Sequence, residues 1–173
     1  RRAPIPMRPQ PSGERIRMEL VHGIHAMLVT PFTDDYQLNE DALRREVRWA
    51  LENGADQVVI LGAGFDTRAY RFQELLHGKP VFEVDYGPTQ EIKKHRVTEA
   101  MGFLPANVRF VEIDFKRETL REVLERAGYQ SNLKTFFIWE GVSMYLTEEA
   151  VRSTLKAIAG YSAPGGALVM DFA

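Results

Sequence analysis

The sequence predicts an α/β, doubly wound, Rossmann-like parallel sheet, and three observations predict it. From residue 57 onward short apolar runs alternate with helical patterns, which implies parallel strands joined by crossover helices. The run Val58-Val59-Ile60-Leu61 has no polar alternation, as expected of a strand covered on both faces. It breaks into Gly62-Ala63-Gly64, where two glycines let the backbone turn sharply and approach a ligand without a Cβ in the way. In open α/β sheets ligands sit beyond the carboxyl ends of the strands.

The elements follow in order. Residues 1–17, RRAPIPMRPQPSGER and the two that follow, are basic and proline-rich and read as a disordered lead. Ala26 to Val29 is a short apolar run closed by Thr30-Pro31, hence a strand. A helix comes next, with Asn39 as its cap, Glu40 and Asp41 in its first turn, Leu38 able to staple onto Leu43, and Asn53-Gly54 as its stop. Leu43, Val47, Ala50 and Leu51 share one face of it. The central strand opens at Gln57. Val81 to Asp85 is the next strand, then a helix over Pro88 to Met101 with Ile92 and Val97 inward and Lys93 and Lys94 on a solvated face. Val108 to Asp114, a helix over Arg117 to Ala127, and Thr135 to Glu140 continue the alternation. Thr147 caps a last helix with Val151, Leu155 and Ile158 inward, and Ala167 to Phe172 is the final strand.

Composition bounds the function. The chain has 173 residues, enough for one domain or one with an appendage. Its 22 Lys+Arg against 24 Asp+Glu leave a net charge of -2, so no nucleic-acid partner is expected. With no Cys there are no disulfides or thiolate metal sites, which suits a reducing, cytoplasmic location. No apolar run approaches the roughly 20 residues that span a bilayer, so no membrane partner is expected. The four histidines have no metal-ligand spacing, and no metal is assigned.

Four strand ends converge at the glycine turn: Gly62-Ala63-Gly64, Asp85, Asp114 and Glu140. Asp85 lies roughly 20 residues past the glycines, where such folds present a carboxylate to ribose hydroxyls. Asp114 can accept from an adenine amino group, with the Phe115 backbone beside the ring. A dinucleotide favours a third glycine where this chain has Thr67, and three acids repel phosphates. The cationic sulfonium and ammonium of S-adenosyl-L-methionine suit both features better. Asp66 reads as ordering the turn through backbone amides, Arg68 and Arg71 as structural partners of acids, with contact to an acidic substrate as the alternative, and Met144 and Tyr145 as core, with the lining of a substrate pocket as the alternative.

The segments GAGFDTRAYRF, VFEVDYGPTQEIKKHRV, VEID, WEGVSMYLTEEAV and SAPGGALVMDF, in this order, resemble the leucine carboxyl methyltransferase-like family of class I S-adenosylmethionine-dependent O-methyltransferases. The resemblance runs from about residue 56 to the end. It implies that Gly62, Ala63 and Gly64 cradle the methionine part, Asp85 holds the ribose, Asp114 and Phe115 flank the adenine and Glu140 closes the site. It also implies methyl transfer to an oxygen of a carboxylate or hydroxyl acceptor, either a small molecule or a protein carboxylate. A carboxylate is already ionised at neutral pH, so no catalytic base is named.

Upstream, GIHAMLVTPFTDDYQLNEDALRREVRWALENGAD resembles the opening of the dihydrodipicolinate synthase family of Schiff-base aldolases, over residues of about 18–56. The strand and lysine that would complete that chemistry have no counterpart, which leaves Thr30 without partners. The expected organisation is therefore a lead over 1–17, an aldolase-like β-α segment over 18–56 and an S-adenosylmethionine-binding core over 57–173. That core stops at its fifth strand, so the chain is expected to be fused or truncated at its carboxyl end, and self-association through an exposed sheet edge is expected. A Schiff-base lyase and a non-catalytic fragment are the alternatives.

Overall fold

In the computed structural model, residues 25–27, 39–114 and 117–171 are described. The strands are β1 (His25–Met27), β2 (Gln57–Leu61), β3 (Val81–Asp85), β4 (Val108–Glu112), β5 (Thr135–Trp139) and β6 (Ala167–Met170). The helices are α1 (Glu40–Glu52), α2 (Arg68–Arg71), α3 (Gln73–Leu76), α4 (Gly87–Met101), α5 (Leu120–Arg126) and α6 (Glu148–Gly160). The six strands form one sheet in the order β1-β6-β5-β2-β3-β4, and every neighbouring pair is parallel. The chain winds outward from β2 to β3 and β4, then returns to β5 and continues the other way. Such a reversal opens a crevice at the carboxyl ends of β2 and β5.

Alternation along the strands makes two cores. Val58, Ile60, Val81, Phe136 and Ile138 point to a layer with Leu43, Val47 and Ala50 of α1 and with Phe72 and Leu76. Val59, Leu61, Phe82, Val84 and Phe137 face Leu120, Val123 and Leu124 of α5, Ile158 of α6 and Tyr161 just after it. Both faces of the central sheet are thereby covered, which is why β2, β5 and β6 are buried throughout and read as largely apolar runs.

The upstream segment is woven into the same sheet. β1 pairs with β6 through His25↔Ala167 to Met27↔Val169, and α1 supplies part of the first core. Asn39 caps α1, its Oδ1 accepting from the Ala42 amide at 3.0 Å. Thr119 and Glu122 make a capping box on α5, and Thr147 caps α6. Leu38, Thr30 and the lead over 1–17 lie outside the described residues.

Helix α4 departs from the sequence expectation. Ile92 is 52% exposed and Val97 only half-buried, whereas Gln90 and Lys93 are buried. Polar partners decide the rotation of this helix: the Gln90 amide donates to the carbonyls of Glu83 and Val111 at 2.9 Å each, and Lys93 meets Glu83. Apolar periodicity misreads a helix whose inward face is hydrogen-bonded to the sheet.

Candidate functional site

The glycine turn begins where β2 ends. Gly62 has φ +63°, and a Cβ there would come within 2.3 Å of Val142 Cγ2, so this position demands glycine. Gly64 has φ +38°, and a Cβ there would meet only the Gly62 carbonyl oxygen at 3.8 Å. The space a Cβ of residue 64 would take is therefore open.

Asp85 stands directly against this turn. Its Oδ2 accepts from the Gly64 amide at 2.5 Å and its Oδ1 from the Tyr86 amide at 2.6 Å. Each carboxylate oxygen has a second acceptor site, so ribose hydroxyls can still bind there. The Ala63 amide donates to the Val84 carbonyl at 3.1 Å, and the Ala63 carbonyl accepts from Asp66 N at 2.8 Å and from Lys93 Nζ at 3.2 Å. Every polar group of the turn's second peptide is thus held by protein.

Glu140 follows β5 and faces a guanidinium. Arg68, buried at the start of α2, places Nη2 against Glu140 Oε2 and 3.4 Å from Glu46 Oε2, while its Nη1 lies 2.6 Å from Asp66 Oδ2. Asp66 also accepts from the Arg68 amide at 2.7 Å, as its reading as a turn-ordering residue expects. Burial, with the Glu140 carboxylate beside it, pushes the Glu46 carboxyl up to about 7 against the pull of Arg68. Burial also raises Glu140, again against Arg68. Burial alone would lower the Arg68 guanidinium, but Asp66, Glu140 and Glu46 together hold it above its ordinary value. Both oxygens of Glu46, and Oε1 of Glu140, are buried without a hydrogen-bond partner among the described residues.

Asp114 stands two residues past β4, the strand beyond β3, with Arg117 Nε 3.6 Å from its Oδ2. Phe115 lies outside the described residues. The loop after β5 is fastened to the end of β6, since Asp171 Oδ2 accepts from the Gly141 amide at 2.5 Å and Asp171 Oδ1 from the Ser143 hydroxyl at 3.0 Å. Met144 and Tyr145 of the short 3₁₀ turn Ser143–Tyr145 are 52% and 80% exposed rather than core. The tight turn after β5 points them away from both packed layers.

The structure therefore brings the glycines, Asp85 and Glu140 to the crevice, with Asp114 one strand further out. It pairs Arg68 with Asp66 and Glu140, as expected of a structural partner of acids, and adds Glu46, Lys93, Glu83 and Asp171, which sequence reasoning did not place there. A charge in the middle of an apolar strand, Glu83 in VFEVD, was the available signal for one of them.

A family model described as leucine carboxyl methyltransferase matches residues 27–159, well over half of the chain. The chain belongs to this family. The match begins within β1, so most of the aldolase-like stretch falls inside the methyltransferase family model. Among relatives, a candidate S-adenosyl-L-methionine-dependent methyltransferase of Bacillus subtilis (strain 168), YktD, is 40% identical over 120 residues, 69% of this chain and 39% of that protein. One of Mycobacterium marinum (strain ATCC BAA-535 / M) is 37% identical over 144 residues, 83% of this chain and 43% of that protein. The chain thus spans about two fifths of the length of these relatives. Among solved structures, the glycopeptide N-methyltransferase MtfA with S-adenosyl-L-methionine superposes with a TM-score of 0.52 at 18% identity, over 73% of this chain and 53% of that one. The mitomycin 7-O-methyltransferase MmcR gives 0.54 at 16% identity, over 78% and 38%. At these identities the likeness is one of fold, and the fold is that of class I, Rossmann-like methyltransferases.

Proposed function

We propose that this chain carries the cofactor half of an S-adenosyl-L-methionine-dependent methyltransferase, and that the whole protein methylates an oxygen, of a carboxylate or hydroxyl, on a small molecule or protein. The observation that carries the reading is the contact between Gly64 and Asp85. It sets a strand-end acid against the glycine turn at the reversal point of the sheet, which supports reading Asp85 as the acid for the ribose. The names of the relatives and the family match support the same cofactor.

Bound at the turn, S-adenosyl-L-methionine would supply an activated methyl group. The chain's residues then bind and orient. Gly62 to Gly64 receive the methionine part, Asp85 the ribose and Asp114 the adenine, while Arg68 holds Glu140 at the crevice floor. Holding an acceptor oxygen in line with the methyl is a matter of alignment and excluded water, and an ionised carboxylate needs no base.

Titration calorimetry with S-adenosyl-L-methionine and its demethylated product tests the cofactor reading. Saturable binding is expected, and Asp85→Ala is expected to weaken it by about tenfold or more. Absence of heat at millimolar ligand would overturn it. Transfer of a labelled methyl group to carboxylate or hydroxyl acceptors, assayed with the full-length protein, decides the chemistry.

A further inference from the structure

We propose that Lys93 is a positioning residue for the cofactor turn. From beneath the sheet end, with Glu83 and Tyr70, it sets the orientation of the Ala63 peptide on which the grip of Gly62 to Gly64 on S-adenosyl-L-methionine depends. The inference rests on the reading of that turn as the cofactor site.

Glu83 occupies the middle of β3 and is wholly buried. Its Oε2 receives two donors, Lys93 Nζ at 2.8 Å and the Tyr70 hydroxyl at 3.0 Å. Lys93, 3% exposed on α4, also donates to the Ala63 carbonyl at 3.2 Å, and its ammonium lies 5.5 Å from the centre of the Tyr70 ring. Tyr70 belongs to α2, the helix into which the turn runs. One ammonium therefore ties together the strand beside the turn, the turn itself and the helix after it.

A purely structural ion pair does not account for this arrangement. Buried ion pairs are often replaceable by apolar residues of similar shape without loss of stability, because desolvation consumes most of the attraction. Direction is what apolar side chains would lose here. The Ala63 amide goes to Val84, the Gly64 amide to Asp85, and the Ala63 carbonyl to Lys93 and Asp66, so β3 and α4 together define the turn's peptide planes. Neutralising the cluster would leave packing intact and remove one of the two donors that hold the Ala63 carbonyl, leaving the Asp66 amide alone to orient it.

The test compares Lys93→Met with Glu83→Gln/Lys93→Met. The single variant leaves a buried carboxylate without its cation and is expected to unfold at lower temperature; the double variant removes both charges and is expected to recover. In the recovered protein, amide exchange at Ala63 and Gly64 is expected to accelerate about tenfold relative to β5. The dissociation constant for S-adenosylhomocysteine is expected to rise by about fivefold or more. A double variant with wild-type exchange at the turn and wild-type affinity would overturn the proposal. If the unmodified chain gives no heat with S-adenosylhomocysteine, the cofactor reading fails, and exchange at Ala63 and Gly64 alone still decides whether Lys93 holds the turn. In the unmodified chain the Lys93 ammonium resonance is also expected to be protected from solvent. A resonance exchanging as fast as that of an exposed lysine would overturn the proposal even if no variant folds.

Discussion

A guanidinium that meets three carboxylates, one of them buried and two partly buried, leaves the crevice floor with more negative than positive groups, and proton uptake restores the balance most readily. Glu46 ionises near 4.5 in an unfolded chain and at about 7 here, so between those values the folded chain holds a proton that the unfolded chain has released. Its contribution is fully present below the lower value and is lost as pH rises through the higher one. Glu140 is displaced in the same direction. The thermal midpoint is therefore expected to fall between about pH 5 and about pH 8, and Glu46→Gln to shrink that fall. An undiminished fall in the variant would show that Glu46 is not its source. Gly62 makes a second, independent prediction. Alanine there meets a left-handed backbone, worth about 1–2 kcal/mol, together with the Val142 contact. In urea unfolding, Gly62→Ala/Val142→Ala should lose less than the sum of its single variants, because only the contact is relieved.

At the scale of elements, α1 and α6 were legible because capping chemistry is local: Asn39 and Thr147 each accept from an amide three residues on, as their sequence positions require. The capping box of Thr119 and Glu122 starts α5 at Leu120, inside the helix expected to begin at Arg117. Thr119→Ala should cost about 1 kcal/mol in chemical unfolding, since it removes one half of a capping box on a helix of seven residues. Helix α4 was legible in extent and illegible in rotation. Its start came out one residue earlier than expected and its end where expected, yet the face carrying Ile92 points to solvent and the face carrying Lys93 points inward. Periodicity ranks side chains by hydrophobicity, and a lysine whose partner sits ten residues away on a different element falls outside that ranking.

For the molecule as a whole, the sheet leaves β1 and β4 as outer strands among the described residues. Arg109 and Glu112 are exposed on β4, and charges there oppose edge-to-edge pairing. Self-association, where it occurs, is therefore expected to run through β1, and light scattering that rises with protein concentration checks it; a monodisperse monomer at high concentration would exclude it. Among the described residues no helix is long and apolar enough to cross a membrane. By itself the sequence determined the alternation of strands and helices, the glycine turn and the acids at the strand ends, because strand periodicity, caps and turns depend on near neighbours. It also carried the family resemblance, since five motifs keep their order along the chain. Only the tertiary structure decided the order β1-β6-β5-β2-β3-β4, the entry of α1 into the core, and the meeting of Glu46 and Glu140 on Arg68 and of Glu83 and Ala63 on Lys93. The physical reason is that burying a charge is tolerable only where a distant segment supplies its partner, and which segment arrives is a property of the packed sheet.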